Sequence, residues 1–389
     1  MDPSIPNPSP LQGCRVLDLT RLLPGPACTW LLARMGADVI KVEAPGAGDY
    51  LRHIEGSGVS ASYRLLNEGK KHIVLNLKHE NGHKVLRRLL ENTDILVEQF
   101  RPGVLERLGV PIPELRQQFP RLIIASITGY GQTGPYRNRA GHDLNFMALS
   151  GLLAQEFAPE RSSSHPAFQA ADMSGGTYYA AVCILGALLK ASQTGEGAHL
   201  DISMTEGVLP LGFSGLGNAF SNSEGPQRYI LQGSMPGYGV YRCKDDTYLA
   251  VAAMEPKFWV GFCQALGKPD WVGKRANLEG WPEFETELAD LLATQPRSKW
   301  LKDLEPYDCC VEPVLTPAET IEHPQHTTRG VFVDGPACRL PALEALRGPS
   351  EDSPTDFEAG SSTREVLLQT GFSAEEIDAL IDNQVVSTS

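Results

Sequence analysis

The chain has 389 residues, more than one hydrophobic core usually supports, so two structural units are the default reading. Its 34 Lys and Arg stand against 47 Asp and Glu, a formal net charge of −13, which argues against unaided binding to nucleic acid or to an anionic membrane. Any phosphate it binds must be met by a local basic cluster.

The opening MDPSIPNPSPLQG lacks a charged start and an apolar run, so it reads as a loose proline-rich arm and not as a secretory signal. The expected compartment is the cytoplasm. From Gly13 the pattern is strand (CRVLDLT), helix (PGPACTWLLARMG, opened by proline and closed by Gly36) and strand (ADVIKVE), a βαβ unit. The alternation returns in HIVLNLK, NGHKVLRRLLENT, DILVEQF and RLIIASIT, which favours parallel strands covered by helices in a Rossmann-like sheet.

A helical stretch from Gly176 to Lys190 and the strand-like AHLDISM continue this unit. The apolar run Tyr178 to Ala191 is shorter than the ~20 residues that span a bilayer and reads as a buried helix. YGVYRCKDDTYLAVAA predicts an antiparallel hairpin turned at Asp245-Asp246. The expected organisation is α/β, with a large domain over 1–225 and a smaller α+β domain over 226–330. Residues 331–389 hold a Pro/Ser/Gly-rich linker and one helix, SAEEIDALIDN, begun by a Ser-x-x-Glu capping box. Eight cysteines without a C-x-x-C, and an adjacent Cys309-Cys310 pair ill suited to a relaxed disulfide, read as free thiols.

Two motifs mislead. HENGH (His79 to His83) matches the H-E-x-x-H zinc pattern, yet contains the poor helix former Gly82, falls where a strand hands over to a helix, and lacks a third ligand. It reads as an exposed turn, and no metal site is expected. GYGQTG (Gly129 to Gly134) matches G-x-G-x-x-G after a strand, but the proline-broken PYRNRAGHD follows where a dinucleotide site needs a helix N-terminus. A loop is expected.

Several ordered segments, GCRVLDLTRLLPGPACTWLLARMGADVIKVEAPGAGDYLR, EQFRPGVLERLG, ASITGYGQTGPY, QAADMSGG, TGEGAHLDISMTEG and PVLTPAETIEHPQ, resemble the family III CoA-transferase superfamily over nearly the whole chain. That superfamily includes formyl-CoA transferase, carnitine CoA-transferase and α-methylacyl-CoA racemase. The resemblance implies an interlocked homodimer, a large domain built from both chain ends, and an acyl-CoA substrate whose coenzyme A is not a permanently bound cofactor.

It also implies roles. Asp172 of AADMSGG matches the shared acid, a nucleophile in the transferases and a proton carrier in the racemases. His142 of the G-H-D segment in RAGHDLNFMALSG matches the racemases' second carrier, Glu255 of MEPKFW matches the glutamate that tunes it, and Asp143 supports the same loop. Inversion beside a thioester carbonyl needs one group to remove the α-proton and another to return it from the opposite face. Read without the resemblance, Asp143 is an N-cap candidate and Glu255 could cap the helix after Pro256.

The positions matching CoA contacts are Leu22, Leu23, Leu75, Lys78, Phe100, Arg101 and Arg107, with Lys78 and Arg107 the candidates for phosphate pairing. Ala44 replaces an arginine many relatives carry after VIKVE, with Arg52 or Lys41 as possible substitutes. Met147, Met235 and Met254 could offer an adaptable apolar surface to the acyl chain.

His142, Thr128 in place of the lysine of formyl-CoA transferase, and LQGSMPGYG in place of its tetraglycine loop lean toward a 2-methylacyl-CoA racemase. Phe168, where known racemases have asparagine, leans toward a CoA-transferase working through an aspartyl-CoA thioester. A catalytically inactive CoA-binding homologue is the third reading.

Overall fold

The computed structural model describes residues 9–54, 56, 58–156, 166–221, 235–334, 339–341 and 356–389. The first eight residues of the arm, Leu231 to Ser234 of LQGSMPGYG and 342–355 of the expected linker lie outside them. The chain divides into two compact units, one formed by 1–213 with 329–389 and the other by 214–328.

The larger unit is built on β1 (Arg15–Leu19), β2 (Asp38–Glu43), β3 (Lys71–Leu75), β4 (Ile95–Glu98), β5 (Ile123–Thr128) and β6 (His199–Ser203), all parallel. The smaller unit holds the antiparallel sheet β7 (Tyr238–Arg242), β8 (Tyr248–Ala252) and β9 (Val311–Val314), turned at Asp246 with φ +60°. Back in the larger unit, β10 (Phe332–Asp334) and β11 (Arg339–Pro341) form a two-stranded ribbon. A last strand, β12 (Val386–Ser387), joins the edge of β3 antiparallel and completes a seven-stranded sheet in the order β12-β3-β2-β1-β4-β5-β6.

The order reverses between β1 and β4, so the crevice beyond their C-terminal ends is where an α/β sheet of this topology opens to ligands. Strands β4 and β5 are buried along their whole length, as strands covered on both faces must be.

Helix α1 (Pro24–Arg34) carries Pro24 and Pro26 in its first turn, where no N–H is needed, and is buried on every side. Helix α2 (Glu80–Leu90) begins inside HENGH, so that segment is a helix start and not an exposed turn. His79 caps it by accepting the Asn81 N–H at 3.1 Å, and His83 Nε2 meets the Leu77 carbonyl at 2.9 Å, so both imidazoles are engaged locally. A Cβ on Gly82 would stand 2.1 Å from the Asn76 carbonyl oxygen, which explains a glycine inside the helix. Among the described residues, no three His, Cys, Asp or Glu are grouped to hold a metal, and no helix is long and apolar enough to cross a membrane. Every described cysteine is a free thiol.

Candidate active site

At the switch point the C-terminal ends of β1 to β4 surround a cavity of about 540 Å³, whose lining includes Arg21, Ala44, Tyr50, Leu75, Lys78 and Phe100. The end of β4 positions Phe100, whose N–H donates to Glu98 at 2.7 Å. Burial pushes the Glu98 carboxyl up to about 7.

Beneath the cavity lies a buried ionic network. Asp18 accepts the hydroxyls of Thr20 and Thr29 at 2.6 Å each and Lys70 Nζ at 3.2 Å. Lys41 Nζ donates to the Thr20 carbonyl at 2.8 Å and to Asp49 at 3.0 Å. Burial alone would raise Asp18, but Lys41, Lys70 and the two hydroxyls outweigh it and hold the carboxyl below the usual range. Burial brings Lys70 down to about 8 despite Asp18. Asp49 also accepts the N–H of Leu22 at 2.9 Å. Leu22 has φ +65°, a left-handed conformation costly for a side chain with a Cβ and sustained by these bonds on both flanks.

Arg52 spans Glu43 at 2.5 Å, the Tyr63 hydroxyl at 2.6 Å and the Phe357 carbonyl at 2.6 Å. Lys41 and Arg52 are therefore buried and committed, which corrects the expectation that either replaces the cation missing at Ala44. The exposed cations of the lining are Lys78 and Arg21, the latter with its guanidinium carbon 4.9 Å from the Tyr50 ring centroid. Arg21 was not among the sequence candidates; no pattern in DLTRLL marks it.

Of the expected contacts, Leu75, Lys78 and Phe100 line the cavity together. Leu22, Leu23, Arg101 and Arg107 do not. Arg107 ends a short helix, Val104–Arg107, and is exposed, while Val104 and Leu108 on either side of it reach the lining.

The loop between β1 and α1 also touches a second cluster. Leu23 packs in one apolar group with Met173, and Thr177 donates its hydroxyl proton to the Pro24 carbonyl at 2.8 Å. Met173 and Thr177 belong to a π-helical segment, Ala171–Tyr178, that carries Asp172 and runs into α4 (Tyr179–Thr194). The two glycines after Asp172 are explained by close approach. A Cβ on Gly175 would stand 2.2 Å from the Met204 carbonyl oxygen, and one on Gly176 2.6 Å from Pro24 Cβ.

Helix α3 (Asp143–Leu149) starts at His142, so His142 and not Asp143 is its N-cap, and the His142 N–H donates to the Asn145 side chain at 3.0 Å. The His142 ring is exposed. Asp143 instead accepts the backbone N–H of Asp172 at 2.9 Å, which brings the G-H-D segment against the second acid. Burial first, and the Asp143 charge second, raise the Asp172 carboxyl from 3.8 to about 7.

GYGQTG is a loop, as expected. Both oxygens of Asp201 accept the Gln132 N–H at 3.0 Å, and Cβ atoms on Gly129 and Gly141 would stand 2.3 and 2.6 Å from the Phe146 ring of α3. Met147 is core, not surface, which removes it from any acyl pocket, whereas Met235 and Met254 belong to the smaller unit. Glu255 also belongs to that unit, exposed at the N-cap of α5 (Pro256–Ala265), where its side chain makes no capping bond.

These features define an α/β enzyme of doubly wound topology with its cavity at the switch point and a carboxyl poised near neutrality. The chain belongs to CoA-transferase family III, whose family profile matches residues 11–359. It is similar to alpha-methylacyl-CoA racemase of Homo sapiens, 35% identical over 386 residues that span 97% of this chain and 98% of that protein. It is also similar to acetyl-CoA:oxalate CoA-transferase of Acetobacter aceti, 31% identical over 85% of this chain and 87% of that one. A CAIB/BAIF family protein from Brucella suis superposes with a TM-score of 0.82 at 25% identity, covering 94% of this chain and all of the other.

Proposed function

We propose that the protein racemises 2-methylacyl-CoA thioesters by two-base proton transfer, with the nucleotide half of CoA in the cavity at the switch point. In one direction Asp172 takes the α-proton while His142 returns another from the opposite face; in the other the roles exchange. No atoms are gained or lost, and the thioester is untouched. Asp143 fixes the backbone of Asp172.

The observation that carries this reading is the Asp172 carboxyl raised to about 7 beside the G-H-D segment. Near neutrality such a group is present both as acid and as base, which reversible inversion requires. A nucleophile attacking a thioester to form an anhydride and then an aspartyl-CoA thioester gains from full ionisation, so the same feature weighs against the CoA-transferase reading. Similarity to racemases of Homo sapiens and Mus musculus at 35% and 34% identity supports it further.

The test is deuterium incorporation. In D₂O a 2-methylacyl-CoA should gain deuterium at the α-carbon and lose optical purity, and the H142A variant should lose this exchange while still binding CoA. CoA exchange into labelled free acids without α-deuteration would establish the transferase instead, and neither activity would leave a CoA-binding homologue. We also infer a homodimer, supported by exposed Val182 and Leu189 on α4; a monomer mass in solution would refute it.

A further inference from the structure

We propose that Arg21 is a further substrate-binding residue, gripping a phosphate of the nucleotide half of CoA and setting a preference for phosphorylated ligands. The inference rests on the reading of the switch-point cavity as the CoA site. Four charged residues besides Arg21 are found in the lining or directly behind it in neutral pairs: Glu43 with Arg52 and Asp49 with Lys41. Arg21 and Lys78 remain, and among the described residues neither has a carboxylate ion-pair partner. The cavity is thus locally positive in a chain of net charge −13.

The backbone on both sides of Arg21 is held by buried groups. The Thr20 carbonyl accepts Lys41 and the Thr20 hydroxyl bonds Asp18, while the Leu22 N–H is held by Asp49 in its left-handed conformation. Strain and buried charge are maintained here around an exposed side chain, an arrangement that a merely solvated arginine does not need. Tyr50 supports the guanidinium from one face, which leaves its N–H edge for a two-pronged bond to phosphate oxygens. Ala44, Pro45, Ala47 and Gly48 on the adjoining wall bring no cation and little bulk, so a phosphate meets space there and charge from Arg21.

Binding of CoA, 3′-dephospho-CoA and pantetheine to the wild type, R21A and R21K proteins tests this by calorimetry. R21A should bind CoA about 10- to 150-fold more weakly and pantetheine unchanged, with R21K in between because it keeps the charge but not the fork. A loss confined to CoA assigns the 3′-phosphate, and an equal loss for CoA and dephospho-CoA assigns the diphosphate. Wild-type affinity of R21A for CoA overturns the proposal, as does an equal loss for pantetheine, since that ligand has no phosphate. Failure of the wild type to bind CoA would overturn the cavity reading instead.

Discussion

Replacing Asp172 with asparagine should make the protein more stable above neutrality and leave it nearly unchanged at pH 4. The wild-type carboxyl titrates at about 7 when folded against 3.8 otherwise, so the folded state binds the proton more tightly. Its contribution to stability is therefore intact below about pH 4 and is lost as the pH rises toward 7. At ~1.36 kcal/mol per pKa unit the loss reaches about 4 kcal/mol by pH 8, or about 2 kcal/mol where solvent reaches the partly exposed carboxylate. The D172N side chain is nearly isosteric and carries no charge at any pH, so it escapes this slope. Urea unfolding of both proteins at pH 4 and pH 8 reads the difference directly. A wild-type-to-variant gap that is the same at both pH values would refute the reasoning, because it would mean that Asp172 ionises as an ordinary surface carboxylate.

Asp143→Asn keeps an oxygen to accept the Asp172 N–H but removes the neighbouring charge; Asp172 should then ionise at lower pH, seen as a downward move of the acid limb of the pH profile for α-proton exchange. Lys78→Ala should weaken CoA binding by about 1.5–3 kcal/mol, with the loss shrinking as salt rises and turnover of bound substrate little changed; a salt-independent loss would refute a phosphate contact. Gly175→Ala forces a Cβ onto the Met204 carbonyl oxygen and should cost about 1–3 kcal/mol on urea unfolding, and wild-type stability would show that the π-helical segment can move aside.

The order of elements in the larger unit was legible because its strands and helices differ in period. Leu17, Ile40, Ile73, Leu96 and Ile124 fall in strands of one sheet and share one core, and Ser373 with Glu376 makes the capping box that the spacing predicts. The acidic pair was legible only by resemblance, since nothing in AADMSGG marks a π-helical turn. The charges beneath the cavity were not legible at all. Lys41 in VIKVE and Arg52 in DYLRH look like solvated residues, yet each pairs with a carboxylate of the other segment, Lys41 with Asp49 and Arg52 with Glu43, once the turn between them folds back and buries both pairs. Periodicity registers which face a residue takes; it carries no information on whether that face will be covered by an opposite charge. Arg21 was missed for the converse reason: its significance lies in the backbone bonds of its two neighbours.

The pairing of β12 with β3 has a consequence for the order in which the protein assembles. Val386 meets Leu75 about 310 residues away in sequence, and the Phe357 carbonyl reaches Arg52 across a similar interval. Closing so long a loop costs about 5 kcal/mol of chain entropy beyond a constant, whereas the sheet of the smaller unit draws all three strands from 214–328. The inner segment is therefore able to condense on its own while the outer one waits with an open edge at β3. Until β12 arrives, the N–H of Asn76, which the Val385 carbonyl later accepts at 2.8 Å, stands unpaired next to Lys78. Ribosome-bound chains ending before residue 385 should thus protect the smaller unit from proteolysis first, and the wall of the switch-point cavity should harden last, when the two distant ends of the chain have found each other.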